Sequence, residues 1–132
     1  MTSSQASGWV HGDQCPVLIP LAPDVRPSDF VHWDVYSGIG LRQPTSRTIF
    51  LGVALCPPSG GYNQGRVATR GTYRLPMERF DSMQSLALGA KVHIAQEIHS
   101  WTCSICVGRV ARYYSSDKTS TLDVAIQSLV LP

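Results

Sequence analysis

His99, Cys103 and Cys106 have the residue types and spacing of metal ligands. A Cys-x2-Cys pair presented by a tight turn converges two thiolates and makes half of a zinc site, which His93, Cys15 or Cys56 would have to complete. The pair lies, however, in a run that reads as a strand, where positions 103 and 106 face opposite ways. Two ordinary buried cysteines are expected, with no metal ligand and no cofactor assigned. The stretch from Trp101 to Cys106 also resembles a thioredoxin-type redox motif, but it lacks the βαβ context which that motif needs. His32, Asp34 and one of many serines make a hydrolytic triad on paper only. There is no G-x-S-x-G elbow, no phosphate-cradling glycine pattern and no zinc-deaminase signature. A zinc-dependent or hydrolytic enzyme is therefore the minority expectation, with no catalytic residue and no small-molecule substrate assigned.

Arginine is the other chemistry-bearing type. Six arginines fall between positions 36 and 79 against one acid, Glu78, while residues 1–35 hold four aspartates against one arginine. The net charge is only +2, so the asymmetry is local. It suits head-to-tail contact between copies, or a basic face meeting phosphates or acidic lipid; arginines on separate solvated loops are the alternative of equal weight. Arg66, Arg70 and Arg74 recur at every fourth position, so a continuous strand through 67–75 would carry them as a basic stripe unless Gly71 breaks the register. Low overall charge and the lack of a recognised motif speak against nucleic acid as the partner.

These residues need a scaffold, and the apolar run 48–56 is its centre. Pro57-Pro58 stops the run, and its nine residues fall short of the roughly 20 that span a bilayer as a helix, so a buried strand is expected. Ser28-Asp29 reads as a helix start, with Phe30, Trp33 and Tyr36 as an aromatic stripe ended by Gly38 and Gly40. Asp81 or Ser82 would cap a second short helix carrying Met83, Leu86 and Ala87 up to Gly89. Short strands are expected at 9–11 and 17–19 with a Gly12-Asp13 turn between them, then an extended arm punctuated by Pro20, Pro23 and Pro27 that packs on its own domain or on a neighbour. A hairpin pairs 91–95 with 101–113, and a last strand covers 121–130. The expected fold is α+β: a single domain at 28–132, its antiparallel β-sheet covered by one or two short helices, preceded by a tail and Pro-rich arm at 1–27. A length of 132 residues suffices for one core, and a hydrophobic fraction of 43% with 15% charged residues excludes a disordered chain. Residues 1–8 lack the charged start and apolar middle of a signal peptide.

Taken in order, His32-Trp33-Asp34, Tyr36-x-Gly38, Arg42-Gln43-Pro44, Ile49-Phe50-Leu51-Gly52, a loop rich in glycine and proline, and Gly71-x-Tyr73-x-Leu75-Pro76 resemble the central part of rhabdovirus matrix proteins. The likeness covers about residues 30–76 and, more loosely, the strand at 91–110. The chain departs from the animal-virus members in lacking a lysine-rich N-terminal tail and a Pro-Pro-x-Tyr budding motif, since Ser59-Gly60 follows Pro57-Pro58. The resemblance implies a non-enzymatic structural protein of the virion, found in host cytoplasm and at the inner face of the membrane. Such a protein self-associates, binds acidic membrane lipids peripherally and condenses the nucleocapsid through the viral nucleoprotein during assembly and budding. On that reading Pro20, Leu21, Pro23 and Val25 of the arm and Pro57, Pro58 and Tyr62 of the loop serve self-association. Arg42, Arg47, Arg66, Arg70 and Arg74 meet lipid headgroups, at about 1 kcal/mol per residue. The rival expectation is a small capsid, decoration or tail assembly protein of a non-enveloped virus, whose β-rich domain and arm also serve assembly.

Overall fold

The central apolar run forms the strand β5 (Thr48–Ala54), and its composition follows from burial on both faces. In the computed structural model, which describes residues 8–55, 64–80, 84–98, 101–115 and 120–130, Phe50, Val53 and Leu55 face one apolar cluster while Leu51 and Ala54 face another. A two-sided strand reads as a continuous apolar run instead of an alternation. The switch of parity between Leu51 and Val53 is a bulge: Val31 pairs with Gly52 and His32 with Phe50, so Leu51 is the extra residue.

Ten strands make two antiparallel five-stranded sheets. The first has the order β2 (Pro16–Pro20), β6 (Gln64–Ala68), β5, β3 (Phe30–Asp34), β4 (Gly40–Leu41). The second has the order β1 (Trp9–His11), β7 (Thr72–Pro76), β10 (Ser120–Ile126), β9 (Trp101–Ser115), β8 (Lys91–Ile98). The main core lies between the sheets, where Phe30, Phe50 and Val53 meet Tyr73, Ile94 and Leu122. The smaller cluster covers the far face of the first sheet and is closed by Leu21, Ala22 and Val25.

The α+β expectation is overturned: the chain is almost all β, and the one helical element among the described residues is a 3-10 turn at Met77–Arg79. The segment expected to be the first helix is β3 followed by a turn. Its Phe30 and His32 face inward while Val31 and Trp33 pack on the far side, so the three-residue spacing of aromatics came from two faces of a strand. Asp34 then ends the strand, its Oδ1 accepting the backbone N–H groups of Tyr36 at 2.9 Å and Ser37 at 3.3 Å. Residues 84–90 of the second expected helix are irregular, and residues 81–83 lie outside the described residues.

The single strand expected at 67–75 is also two strands, β6 and β7, in different sheets. Gly71, at φ +110, takes the chain around the corner, and Gln14 Nε2 donates to the buried Tyr73 hydroxyl at 2.9 Å beside it. Residues 9–20 are woven into both sheets as β1 and β2 and do not hang free, and the two strands flanking Gly12-Asp13 belong to different sheets. The central strand and the β8–β9 hairpin stand where the sequence places them, while the last strand ends at Ile126, short of the expected 130. Within the hairpin a bulge at Val107 lies between the pairs Val92 with Gly108 and His93 with Cys106.

Candidate functional site

The five arginines expected to meet headgroups do not form one stripe. Arg66 stands opposite Leu18 across β6 and β2, and both side chains are exposed. Arg74 lies in the other sheet, opposite Asp123 of β10, with Nε 3.0 Å from Oδ1. Between them Arg70 sits at the corner and shares a cleft of about 580 Å³ with Arg109 of β9, His11 and Asp13. Arg109 was missed from sequence because no local spacing links it to Arg70; only the fold brings the two together. Arg47 is exposed with its guanidinium 4.8 Å above the Tyr36 ring, and Arg42 pairs through Nε with Asp29 Oδ2 at 3.2 Å. The basic residues are thus distributed over both sheets.

Of the residues assigned to self-association, Leu21 and Val25 are 2% exposed in the chain's own far-side cluster, against Val31, Leu51 and Val67. Pro20 closes β2 and is exposed, as is Pro23. Pro57, Pro58 and Tyr62 lie outside the described residues. The arm is therefore used within the chain.

The sheet edges offer a different surface. β1 has three residues and β4 two, the latter bridged by Leu21, and β2 is bounded by Pro16 and Pro20. Short, covered or proline-flanked edges resist further pairing. β8 is eight residues long, contains no proline and has β9 on one side only. The Gln84 side chain covers the start of its outer edge, donating from Nε2 to Lys91 O at 2.8 Å and accepting the His93 N–H at Oε1 at 2.9 Å. Strand alternation then points the His93 carbonyl and both backbone groups of Ala95 and Glu97 outward. That row is a stretch of strand edge with no strand beside it.

The enzyme candidates gain no geometry. Positions 103 and 106 fall on opposite faces of β9, Cys106 is half-buried with Sγ 3.7 Å from Gly108 O, and His99 lies outside the described residues. Among the described residues no three His, Cys, Asp or Glu side chains are grouped to hold a metal ion. The Asp34 carboxylate is committed to its turn, whose N–H groups, Tyr36 first, hold its pKa below the ordinary value. Among the described residues no helix is long and apolar enough to cross a membrane. Comparison with family models, with curated proteins and with solved structures found no match to this chain.

Proposed function

We propose that this protein is a non-enzymatic viral structural protein of the matrix type, which self-associates edge to edge, binds acidic membrane peripherally at its inner face and holds nucleoprotein on another surface. The observation that carries the reading is the open outer edge of β8. An exposed row of strand N–H and C=O groups is a template for another strand, and a second copy of the chain offers the identical row around a two-fold axis. In a register centred on Ala95, each Ala95 exchanges both backbone bonds with its counterpart, and each Glu97 N–H meets the His93 carbonyl of the second copy. The Glu97 carbonyl of the second copy comes to the His93 N–H that Gln84 Oε1 now caps, so the Gln84 side chain must give way at that end. The motif order over residues 30–76 supports the matrix class. The membrane part of the reading follows from that class alone, since the arginines are spread over both sheets.

Proline at Ala95 is the sharp test, because it removes an outward N–H and leaves the bonds to β9 untouched. Sedimentation should show wild-type dimers or larger species and an Ala95→Pro monomer with an unchanged circular dichroism spectrum; a wild-type monomer at all concentrations would sink the reading. Flotation with acidic and neutral liposomes at low and high salt tests the membrane part. A capsid, decoration or tail assembly protein is the second reading, favoured by the two-sheet, nearly helix-free architecture. Self-association without salt-sensitive binding to acidic liposomes would select it.

A further inference from the structure

Between the β3–β4 end of the first sheet and β8 of the second lies a polar cavity of about 260 Å³, lined by Asp29, His32, Arg42, Gln43 and Arg79 with Phe30 and Ile94 as its apolar walls. We propose that it is a binding site for a phosphate monoester group. The volume is below the roughly 300–1,000 Å³ of pockets for drug-sized ligands, and so suits a compact anion.

Two guanidinium groups are fixed at the cavity with donors left over. Arg79 Nη2 donates to the Ser28 carbonyl at 3.0 Å, and its Cζ lies 4.1 Å from the centre of the Phe30 ring, which holds the fork in place. Its Nε and Nη1 make no hydrogen bond among the described residues. Arg42 pairs with Asp29 through Nε, leaving its two terminal nitrogens. Among the described residues Asp29 is the one acid at the cavity, and its Oδ2 also accepts the Arg26 N–H at 2.8 Å. Among the described lining residues, one carboxylate against two guanidiniums leaves a formal charge of +1. Burial lowers the Arg79 pKa even with Asp29 opposing the shift, the mark of a cation short of counter-charge.

The second, independent observation is His32. It is 1% exposed and lines the cavity, so its ring is part of the wall that an anion would meet. Its ring lies 5.8 Å from that of Phe50, and the residue borders a cavity on either side. With the Gln43 amide, the site offers N–H donors from three side chains, with the His32 ring beside them. A carboxylate has two oxygens to receive them; a phosphate monoester has three terminal oxygens and up to two charges, and planar guanidinium forks match it.

A free phosphate ester and a lipid headgroup ending in phosphate share this chemistry. The site stands apart from self-association, and only the lipid arm of the test rests on the membrane reading. Calorimetry with inorganic phosphate and with glycerol 3-phosphate, and flotation on phosphatidylcholine vesicles carrying either phosphatidic acid or phosphatidylserine at matched surface charge, distinguish the sources. Saturable binding of the soluble probes, weakened at least tenfold in both Arg42→Gln and Arg79→Lys, supports the site with a soluble ester as ligand. Preference for phosphatidic acid vesicles, lost in the same variants, supports it with a lipid source. Displacement of the His32 ring signals by phosphate in NMR reports the cavity directly, even where a variant is destabilised. No soluble binding together with equal flotation on both vesicles, or binding indifferent to both variants and silent at His32, overturns the proposal.

Discussion

Arg74 and Asp123 face each other across β7 and β10 and join through two contacts, Nε to Oδ1 at 3.0 Å and Nη2 to Oδ2 at 3.4 Å. Asp123 is nearly buried and is also in register with Arg112 on β9. Removing Arg74 strips a buried carboxylate of its forked partner, a loss of about 1–3 kcal/mol. Urea midpoints of Arg74→Met and Asp123→Asn should both fall, and the double variant should lose less than the two losses added together. Of the five arginines once assigned to headgroups, Arg74 is thus the poorest probe of membrane binding.

His32 sets a pH limit on stability. Burial holds its pKa down at about 4 against an ordinary 6.5, so between those values the unfolded chain binds the proton and the folded chain does not. Its contribution is fully present above pH 6.5 and is lost as pH falls toward 4, by about 3 kcal/mol at the acid end. The charged groups on the cavity side are Arg42, Arg79 and Asp29, and their formal sum opposes a second cation. Chemical denaturation at pH 7 and pH 4.5 should show a smaller drop for His32→Gln than for wild type; an equal drop would place the acid sensitivity elsewhere.

Two glycines hold neighbouring strands at closest approach. A Cβ at Gly52 would overlap the Ala68 carbonyl oxygen, and one at Gly108 the Ala125 carbonyl oxygen; in both cases the obstacle is backbone. Overpacking of this kind costs about 1–3 kcal/mol or more. Calorimetric scans of Gly52→Ala and Gly108→Ala should show lowered melting or no cooperative transition, whereas Gly38→Ala, with nothing within 4 Å, faces only its positive φ.

Leu21→Ala should cost about 2–5 kcal/mol, the range for a large side chain removed from a core, with no change in oligomeric state. Ala95→Pro should do the reverse. The pair separates the arm, which is part of the core, from the edge, which is part of an interface, and sedimentation beside thermal melts reads both.

The strands that pair locally were legible in the sequence, and those that change partners were not. The run at 48–54 and the hairpin of β8 with β9 declare themselves by apolar content and alternation, because their neighbours lie close in the chain. β3 did not, since burial of Phe30 on one face and Trp33 on the other mimics a helical stripe; the pairing of β-branched and aromatic residues ahead of the Asp34 and Gly38 turn was the better signal. The arginine stripe failed for a topological reason, as parity carries across a strand but not around the corner at Gly71. Of the phosphate cavity, Arg42 was read from the sequence as one of five headgroup-binding arginines, and His32 only as part of a paper triad. His32 from β3 and Arg79 from the 3-10 turn meet it where Arg42 follows β4, a juxtaposition that no spacing encodes.

The order of the strands also bears on how the protein is made. On a ribosome the first sheet has all its strands once residue 68 has emerged, while the second waits for residues 120–126, because β7 must find β10 and β1 must reach across to β7. Until then Phe30, Phe50 and Val53 present an uncovered apolar face on a half-made molecule. Such vectorial synthesis leaves a window for collision between nascent chains, and pairings this distant close slowly, on the order of milliseconds to seconds. Crowded polysomes would be where this protein is most exposed to misassembly.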